Sequence, residues 1–353
     1  VCLLYGVGKE NIVVEGNDSR FAAFLASTAV SPIRDARLIV VESNERLIST
    51  APGRIQYARD PLLEVWRLSR PKGIGFLRFA FSHCMMPIAL LRESFRTPEL
   101  MAISRDAAYL HLIECMQKNR LIESVVYTSS NFLAQPLWLR GFRNFSTHMV
   151  HYSQAWQVFD YQEDSRHSEY PQMRWVRFDE HWVWTKGFAT YLADRDRNAT
   201  IHVVGPIVWH QPIALRTPHE GIVIAAFDVP ALTAAAARSG GELTNFWKAE
   251  NLQAFIEDLV KLRNSCKKEI GGPVRLILKA KRFHPDYDQD YASYIRQKCS
   301  EKQLELVAIN TNIFQFLSGC DVAVVFPFSS PAYVAQSMKI PAIYHDPTGS
   351  LLP

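Results

Sequence analysis

One stretch near the C-terminus constrains the fold of this chain more than any other. The apolar run Val322–Phe326 has the composition of a buried parallel strand, and the hydroxyls of Ser329 and Ser330 follow soon after it. Pro331 comes next, and proline suits the first turn of a helix because its missing N–H group would have no partner there. The stretch therefore predicts a strand, a short polar turn and a helix N-terminus, where amide groups and the helix dipole attract an anion.

A second junction of the same kind precedes it. Val274–Phe283 is strand-like and leads into His284 and Pro285, and a helical pattern then runs over 286–302. Ligands of open parallel sheets bind at the carboxyl ends of the strands, so two such junctions predict a pocket for a phosphorylated, nucleotide-linked molecule. Three basic residues of this junction are further candidates to bind its charge: Lys279, Lys281 and Arg282.

Strands and helices alternate along the chain. Ala36–Val41, Ile122–Tyr127 and Ile222–Asp228 have strand composition, and a long helix is predicted over 244–268, ended by Gly271. Such alternation predicts parallel sheets with helices on both faces, in two doubly wound Rossmann-like α/β domains with a cleft between them. Prolines at 206, 212 and 218 mark a linker, so the predicted division is an N-terminal domain at 1–206, a connector at 207–220 and a C-terminal domain at 221–353.

Composition excludes several classes of protein. The net charge of +4 is mild and no dense basic run occurs, so we expect no nucleic-acid partner. The six cysteines form no Cys-x-x-Cys pair, which favours reduced thiols and a cytoplasmic location. Two Asp-x-Asp matches, Asp194–Asp196 and Asp288–Asp290, are expected by chance among 35 acidic residues, so no metal site is predicted.

The apolar segment Phe79–Leu91 allows two interpretations. It is too short to span a bilayer, which takes about 20 residues, and His83 and Pro87 interrupt it. With basic residues just before it, the segment suits a peripheral contact with an anionic membrane such as the inner face of the bacterial inner membrane. The favoured alternative is a buried helix with a solvated basic flank.

Aromatic and acidic residues are concentrated late in the first domain. Aromatic rings stack on the C–H faces of sugars, and carboxylates bind sugar hydroxyls, so this region is the candidate acceptor site. Asp179, Glu180 and His181 are the candidates for a catalytic base. Three residues are candidates for acceptor binding, namely His151, Tyr152 and Trp184. The alternative is that the aromatic residues belong to the core.

The two junctions resemble motifs of a known family. His284-Pro285 and Ser329-Ser330 are similar to the His-Pro and Ser-Ser motifs of bacterial CMP-sugar transferases, the sialyltransferases and Kdo transferases. The longer strings Phe326–Tyr333 and Pro341–Gly349 resemble polysaccharide-biosynthesis proteins named for a Pro-Phe-Thr-Ser motif, with a serine hydroxyl at 329 in place of the threonine. This resemblance, best over 173–350, implies the GT-B architecture.

The resemblance also implies a reaction. The donor is a CMP-activated ulosonic acid, Kdo or a sialic acid, and the acceptor is an oligosaccharide or a lipid-linked glycan of a surface polysaccharide such as O-antigen or capsule. His284, Pro285, Ser329 and Ser330 would bind the CMP group, and no metal or other cofactor is needed. In the retaining β-Kdo transferases that the chain resembles, a carboxylate attacks the anomeric carbon, a role assigned here to Asp228. The alternative for Asp228 is that it caps the next helix.

Two other functions remain open from the sequence. An inverting, sialyltransferase-like enzyme would use an acidic residue only as a general base. A catalytically inert nucleotide-binding partner of a polysaccharide assembly complex would bind nucleotide without turnover. The natural chain is expected to continue beyond Pro353, because transferases of this architecture often carry a closing helix there.

Overall fold

The described part of the chain forms two compact units. The structure is a computed structural model, and it describes residues 2–5, 39–42, 55–58, 60, 63–64, 66–67, 73–98, 106–107, 109–110, 112–113, 122–129, 135–140, 145–151, 176–194, 196–206, 217–229, 231–233, 246–280, 288–309, 311–327 and 329–350. The described residues up to 206 belong to the first unit, and those from 217 onward belong to the second.

The first unit is built on a parallel sheet of seven described strands in the order β3-β2-β1-β4-β5-β6-β7. Along the chain, β2 and β3 are added on one side of β1, and β4 to β7 are then added in turn on its other side. This order is the doubly wound topology. The strands are β1 (Cys2–Tyr5), β2 (Ile39–Glu42), β3 (Ile55–Ala58), β4 (Ser124–Ser129), β5 (Ser146–His151), β6 (Glu180–Val183) and β7 (Thr200–Val203). The helices are α1 (Ile74–Ser94), α2 (Leu137–Arg140) and α3 (Lys186–Ala193).

The second unit has a parallel sheet of five described strands in the order β10-β9-β8-β11-β12. The strands are β8 (Ile222–Phe227), β9 (Val274–Leu278), β10 (Glu305–Leu306), β11 (Val322–Val325) and β12 (Ala342–Tyr344). The helices are α4 (Ala249–Ile270), α5 (Gln289–Ser300), α6 (Ile313–Leu317) and α7 (Pro331–Ser337). Because β8 lies in the middle of this sheet, nearly all of its side chains are buried.

The core of the second unit lies between the sheet and α4. The buried residues of α4 fall on one stripe, because the helix repeats every 3.6 residues: Leu252, Phe255, Ile256, Leu259 and Val260. The Phe255 ring meets the ring of Phe326, which follows β11, with their centroids 5.4 Å apart. The apolar run that ends at the Ser-Ser turn is therefore anchored directly in the core.

Several predicted elements are confirmed. Pro331 is in the first turn of α7, as predicted from its missing N–H group. Helix α4 ends at Gly271, which adopts the left-handed conformation with φ 68°. Its start was predicted too early, because Lys248 is extended and the helix begins at Ala249. Strand β10 is short, with only Glu305 and Leu306 paired to β9.

The favoured interpretation of the Phe79–Leu91 segment is wrong. The segment forms the middle of helix α1, but the helix is not buried, since Phe81 is 70% exposed and Ile88 is 59% exposed. Hydropathy alone cannot distinguish a buried apolar helix from one that lies on a surface. No helix among the described residues is long and apolar enough to cross a membrane.

We expect Phe255→Ala to lower the free energy of unfolding by about 3–5 kcal/mol, because it opens a cavity between α4 and the sheet. The matched control is Leu262→Ala on the same helix, where the side chain is 43% exposed and the change should stay within about 0.5 kcal/mol. Urea unfolding followed by circular dichroism measures both. Equal shifts for the two variants would contradict this packing.

Candidate active site

The second unit contains a topological switch point. From β8 the chain builds β9 and β10 on one side of the sheet, and then crosses to build β11 and β12 on the other side. The strand order therefore reverses between β8 and β11, and the crevice at the carboxyl ends of such strands is where doubly wound sheets bind ligands. Asp228 follows β8 directly, and Ser329 and Ser330 follow β11. The structure thus brings these three predicted site residues to the two strands that flank the switch point.

Asp228 is buried and its carboxylate has a fixed neighbour. The Tyr291 hydroxyl, from the first turn of α5, donates to Asp228 Oδ2 at 2.9 Å. Burial, and then the charge of Asp228, raise the pKa of Tyr291 well above its usual value, so the phenol remains a hydrogen-bond donor. Asp228 therefore has one carboxylate oxygen oriented by a neutral donor.

The turn after β11 is fixed from the neighbouring strand. The Tyr344 hydroxyl on β12 donates to the carbonyl oxygen of Ser329 at 2.7 Å. Burial raises the pKa of Tyr344, so this phenol also stays protonated. Ser330 is the N-cap residue of α7, and its side chain makes no capping hydrogen bond. The Ser329 carbonyl is therefore held from β12, and the Ser330 hydroxyl is not used to cap the helix.

The junction after β9 differs from its prediction. Helix α5 begins at Gln289 rather than near 286, and the Asp288 side chain accepts hydrogen bonds from the amides of Asp290 and Tyr291. The Asp288 carboxylate thus occupies these two amides, so they are not available to a phosphate. His284, Pro285, Lys281 and Arg282 lie outside the described residues, and their roles stay predictions.

Lys279 lies at the same edge of the sheet. Its backbone N–H donates to Ala226 O at 2.9 Å, which continues the pairing of β9 with β8. Its Nζ donates to Ile309 O at 3.0 Å, so the ammonium group holds the loop after β10. The predicted role of Lys279 in donor binding stays a prediction.

A buried chain of hydrogen bonds lies in the first unit. His151, the last residue of β5, has its Nε2 3.1 Å from His181 Nδ1, and His181 Nε2 is 3.1 Å from Asp196 Oδ2. An ionised Asp196 carboxylate can only accept hydrogen bonds, so His181 Nε2 carries a proton and donates it to Asp196. His181 Nδ1 is then without a proton and accepts from His151 Nε2–H. The lone pair of His151 is then on Nδ1. We call this set the histidine relay.

The pKa shifts agree with that assignment. Burial, and then the neighbouring His181, lower the pKa of His151 well below its usual value, so its ring is neutral. Burial alone would raise the pKa of Asp196, but hydrogen bonds from His181 and from the amide of Phe178 lower it overall. The Asp196 carboxylate is therefore ionised and the relay ends in a neutral imidazole.

Asp179 and Glu180 have other surroundings. They lie at the start of β6, so they are at the amino edge of the sheet. Asp179 Oδ2 accepts from Thr147 N and Thr147 Oγ1, both at 2.8 Å. Glu180 Oε2 is 3.0 Å from His148 Nδ1 and accepts from Trp182 Nε1 at 3.2 Å. Both carboxylates join neighbouring strands, and their catalytic roles stay predictions.

Trp184 is a buried residue in this unit. Its Nε1–H donates to the carbonyl oxygen of His151 at 2.7 Å, which fixes the end of β5. The alternative that the aromatic residues belong to the core fits Trp184 better than a sugar-stacking role does, because little of its ring is exposed. Tyr152 lies outside the described residues.

Sequence reasoning missed three residues of these sites: Tyr291, Tyr344 and Asp196. Tyr291 follows Asp228 by 63 positions, and no local pattern connects them. Asp196 was set aside as half of a chance Asp-x-Asp match, and its partner is instead His181. Within the described ranges, no group of three or more His, Cys, Asp and Glu side chains is arranged to hold a metal ion.

The two doubly wound units and the polar switch point define an α/β protein of the GT-B type, as expected. Residues 88–353, most of the chain, match the family of polysaccharide biosynthesis PFTS motif proteins, and the chain belongs to that family. The description of this family indicates a role in polysaccharide biosynthesis. No curated protein matches the sequence.

Three solved structures are similar to this chain. MnaA from S. aureus, in a co-structure with UDP, is 12% identical with a TM-score of 0.50, and the alignment covers 97% of this chain and 77% of MnaA. The wall teichoic acid polymerase TagF is 10% identical (TM-score 0.44, covering 97% of this chain and 69% of TagF). TarM is 12% identical (TM-score 0.39, covering 68% of this chain and 46% of TarM), so this chain spans about half the length of TarM. At such identities the likeness concerns the fold alone.

We expect the histidine relay to make stability depend on pH. As pH falls through the ordinary histidine range, His151 takes up a proton in the unfolded chain but not in the buried site, so the free energy of unfolding falls, by up to about 1.4 kcal/mol per pH unit. His151→Phe should reduce this slope between about pH 7 and pH 5 in urea titrations. The control is Phe188→Leu, which removes a ring that contacts His151 and should lower stability equally at both pH values. An unchanged slope in His151→Phe would contradict the assignment.

Proposed function

We propose that the chain is a glycosyltransferase that moves Kdo from CMP-Kdo to an acceptor of a bacterial surface polysaccharide such as O-antigen or capsule. The observation that carries the proposal is the switch point, where Asp228 and the Ser329–Ser330 turn flank adjacent strand ends. Family membership supports the class of enzyme. The similarity of the His284-Pro285 and Ser329-Ser330 motifs to those of CMP-sugar transferases supports the donor.

The CMP group is proposed to bind at the turn after β11. Its phosphate needs hydrogen-bond donors and positive charge as it leaves, and the Ser330 hydroxyl at the start of α7 provides a donor. His284, from the loop after β9, is proposed to bind the same phosphate. Serine hydroxyls, imidazole and lysine suffice for this binding, so the proposal requires no metal.

Asp228 is proposed as the nucleophile of a double displacement. A carboxylate oxygen attacks the anomeric carbon, the bond from that carbon to the CMP oxygen breaks, and CMP leaves with the electron pair. The acceptor hydroxyl then attacks the same carbon, its proton passes to a base, and the Asp228 carboxylate leaves. Two inversions give net retention. The Tyr291 hydroxyl would orient Asp228 and stabilise it as the leaving group of the second step.

Glu180 is proposed as the base of that second step, with Asp179 and His181 as the competing candidates. The predicted role of His151 in acceptor binding stays a prediction, because its ring is buried and neutral.

The donor proposal predicts nucleotide selectivity. In calorimetric titrations with a chelator present, CMP should bind, and UDP and GDP should not. Ser330→Ala should weaken CMP binding by about tenfold or more, because it removes a hydrogen bond to a charged phosphate. Ser337→Ala is the matched control on the same helix, where the hydroxyl donates to Val334 O, and should leave the affinity unchanged. Preference for UDP or GDP would overturn the donor, and no nucleotide binding would favour an inert assembly partner.

The mechanism predicts a trapped covalent intermediate. Incubation with CMP-Kdo without acceptor, followed by denaturation and intact-mass spectrometry, should show the protein plus one Kdo residue, located on the peptide that contains Asp228. Asp228→Asn should show no adduct and no transfer, whereas Glu180→Ala should accumulate the adduct because only the second step needs the base. An active Asp228→Asn variant without adduct, or a product of inverted configuration, would replace this mechanism with a single displacement.

A further inference from the structure

Helix α1 exposes an apolar face. Among the large apolar side chains that are exposed in the described part of the chain, seven of fourteen lie between residues 76 and 95. Leu77 is 66% exposed, and Phe95, just beyond the helix, is 82% exposed. Soluble proteins rarely expose apolar side chains so densely unless the surface binds something.

The exposed residues form one stripe. Successive helix residues are about 100° apart, so positions spaced by three and four lie on one side of the helix. The stripe, called here the α1 stripe, comprises Leu77, Phe81, Met85, Ile88 and Leu91.

Met86 lies on the other side of α1 from the stripe, about 160° around the helix from Ile88, and it is partly buried. Ala80, beside Leu91, and Ser94 are also partly buried. The side chains of the α1 stripe are more exposed than these three.

The charges around the stripe are mostly basic. Residues 61–98 contain six basic residues and only two acidic ones, Glu64 and Glu93, so the segment carries a formal charge of +4, as large as that of the whole chain. No acidic residue occurs between these two. Arg67 and Arg96, at the two ends of the segment, are mostly exposed, and each pairs with a glutamate three residues before it. Arg92 is exposed between them. Basic side chains beside an apolar face are the chemistry that binds an anionic bilayer surface.

We propose that the α1 stripe docks the protein on a membrane surface that contains anionic lipid, with the helix lying in the plane of the interface. Charge selects this occupant: two copies joined through the stripe would bring their basic side chains together, whereas anionic headgroups neutralise them. The apolar side chains would enter the boundary between headgroups and acyl chains, where Phe and Leu residues of interfacial helices are found. The docking does not depend on the proposed reaction.

The test is co-sedimentation of the whole chain with vesicles. Wild type should bind vesicles of phosphatidylcholine that contain about a third phosphatidylglycerol, less so as salt rises, and should not bind phosphatidylcholine alone. Phe81→Glu and Ile88→Glu should each weaken binding by about tenfold or more, and Arg92→Gln by about fivefold. Leu262→Glu, at an exposed position of α4, is the matched control and should bind like wild type.

A label tests the orientation of the helix. Cys84 is exposed and is one turn from Phe81 and Ile88 on the same side of α1. A polarity-sensitive fluorophore on Cys84 should shift to the blue with anionic vesicles, and Cys84→Ser treated in the same way should show no shift.

Three results would overturn the proposal. The first is wild-type protein that remains in the supernatant with anionic vesicles. The second is Phe81→Glu and Ile88→Glu variants that fold with the wild-type unfolding midpoint and bind as tightly as wild type. The third is lipid-free wild type that sediments as a dimer while Phe81→Glu is a monomer, which would make the stripe an interface between copies of this chain.

Discussion

The pairing of β8 with β11 is the constraint on which the candidate site depends. These two strands run parallel in the middle of the sheet, with Phe227 opposite Val325, and Phe326 N donates to Phe227 O at 2.8 Å. The two strands end side by side at Phe227 and Val325. Asp228 and the turn that leads to Ser329 therefore both start at this edge of the sheet. A slip in register would move buried side chains to the opposite face, and the core around Phe326 prevents it. Packing thus fixes the position of the polar groups.

Buried donors then hold these groups in place. Tyr291 and Tyr344 each bring a protonated phenol to the switch point, one to a carboxylate and one to a backbone carbonyl. The first unit uses a different device, in which two imidazoles and Asp196 satisfy one another. A buried polar group that loses its partner costs about 1–3 kcal/mol, so each network is either complete or strongly destabilising. Such networks give rigid positions, which is what a site for a charged leaving group requires.

Local signals were enough to predict much of the second unit. The strand, the Ser-Ser turn and the helix with Pro331 follow from neighbouring residues, as does the end of α4 at Gly271. Tyr291 and Asp196 could not be found in this way, because their roles come from contacts that folding makes between distant parts of the chain. Asp288 is a third case. It was set aside as part of a chance Asp-x-Asp match, but it caps α5 by accepting from the amides of Asp290 and Tyr291. The sequence pattern had predicted that the amides at this helix start would bind a phosphate.

The α1 stripe shows why an apolar pattern is not by itself a core. A side chain such as Phe81 gains about 1.5–3 kcal/mol when it leaves water, whether it enters a protein core or a bilayer interface. Only exposure distinguishes the two, and here the side chains of the stripe are exposed. A few such side chains together with basic residues bind a surface reversibly, because none of them spans the bilayer. Reversible docking suits an enzyme whose proposed donor is free in solution and whose proposed acceptor is carried by a lipid.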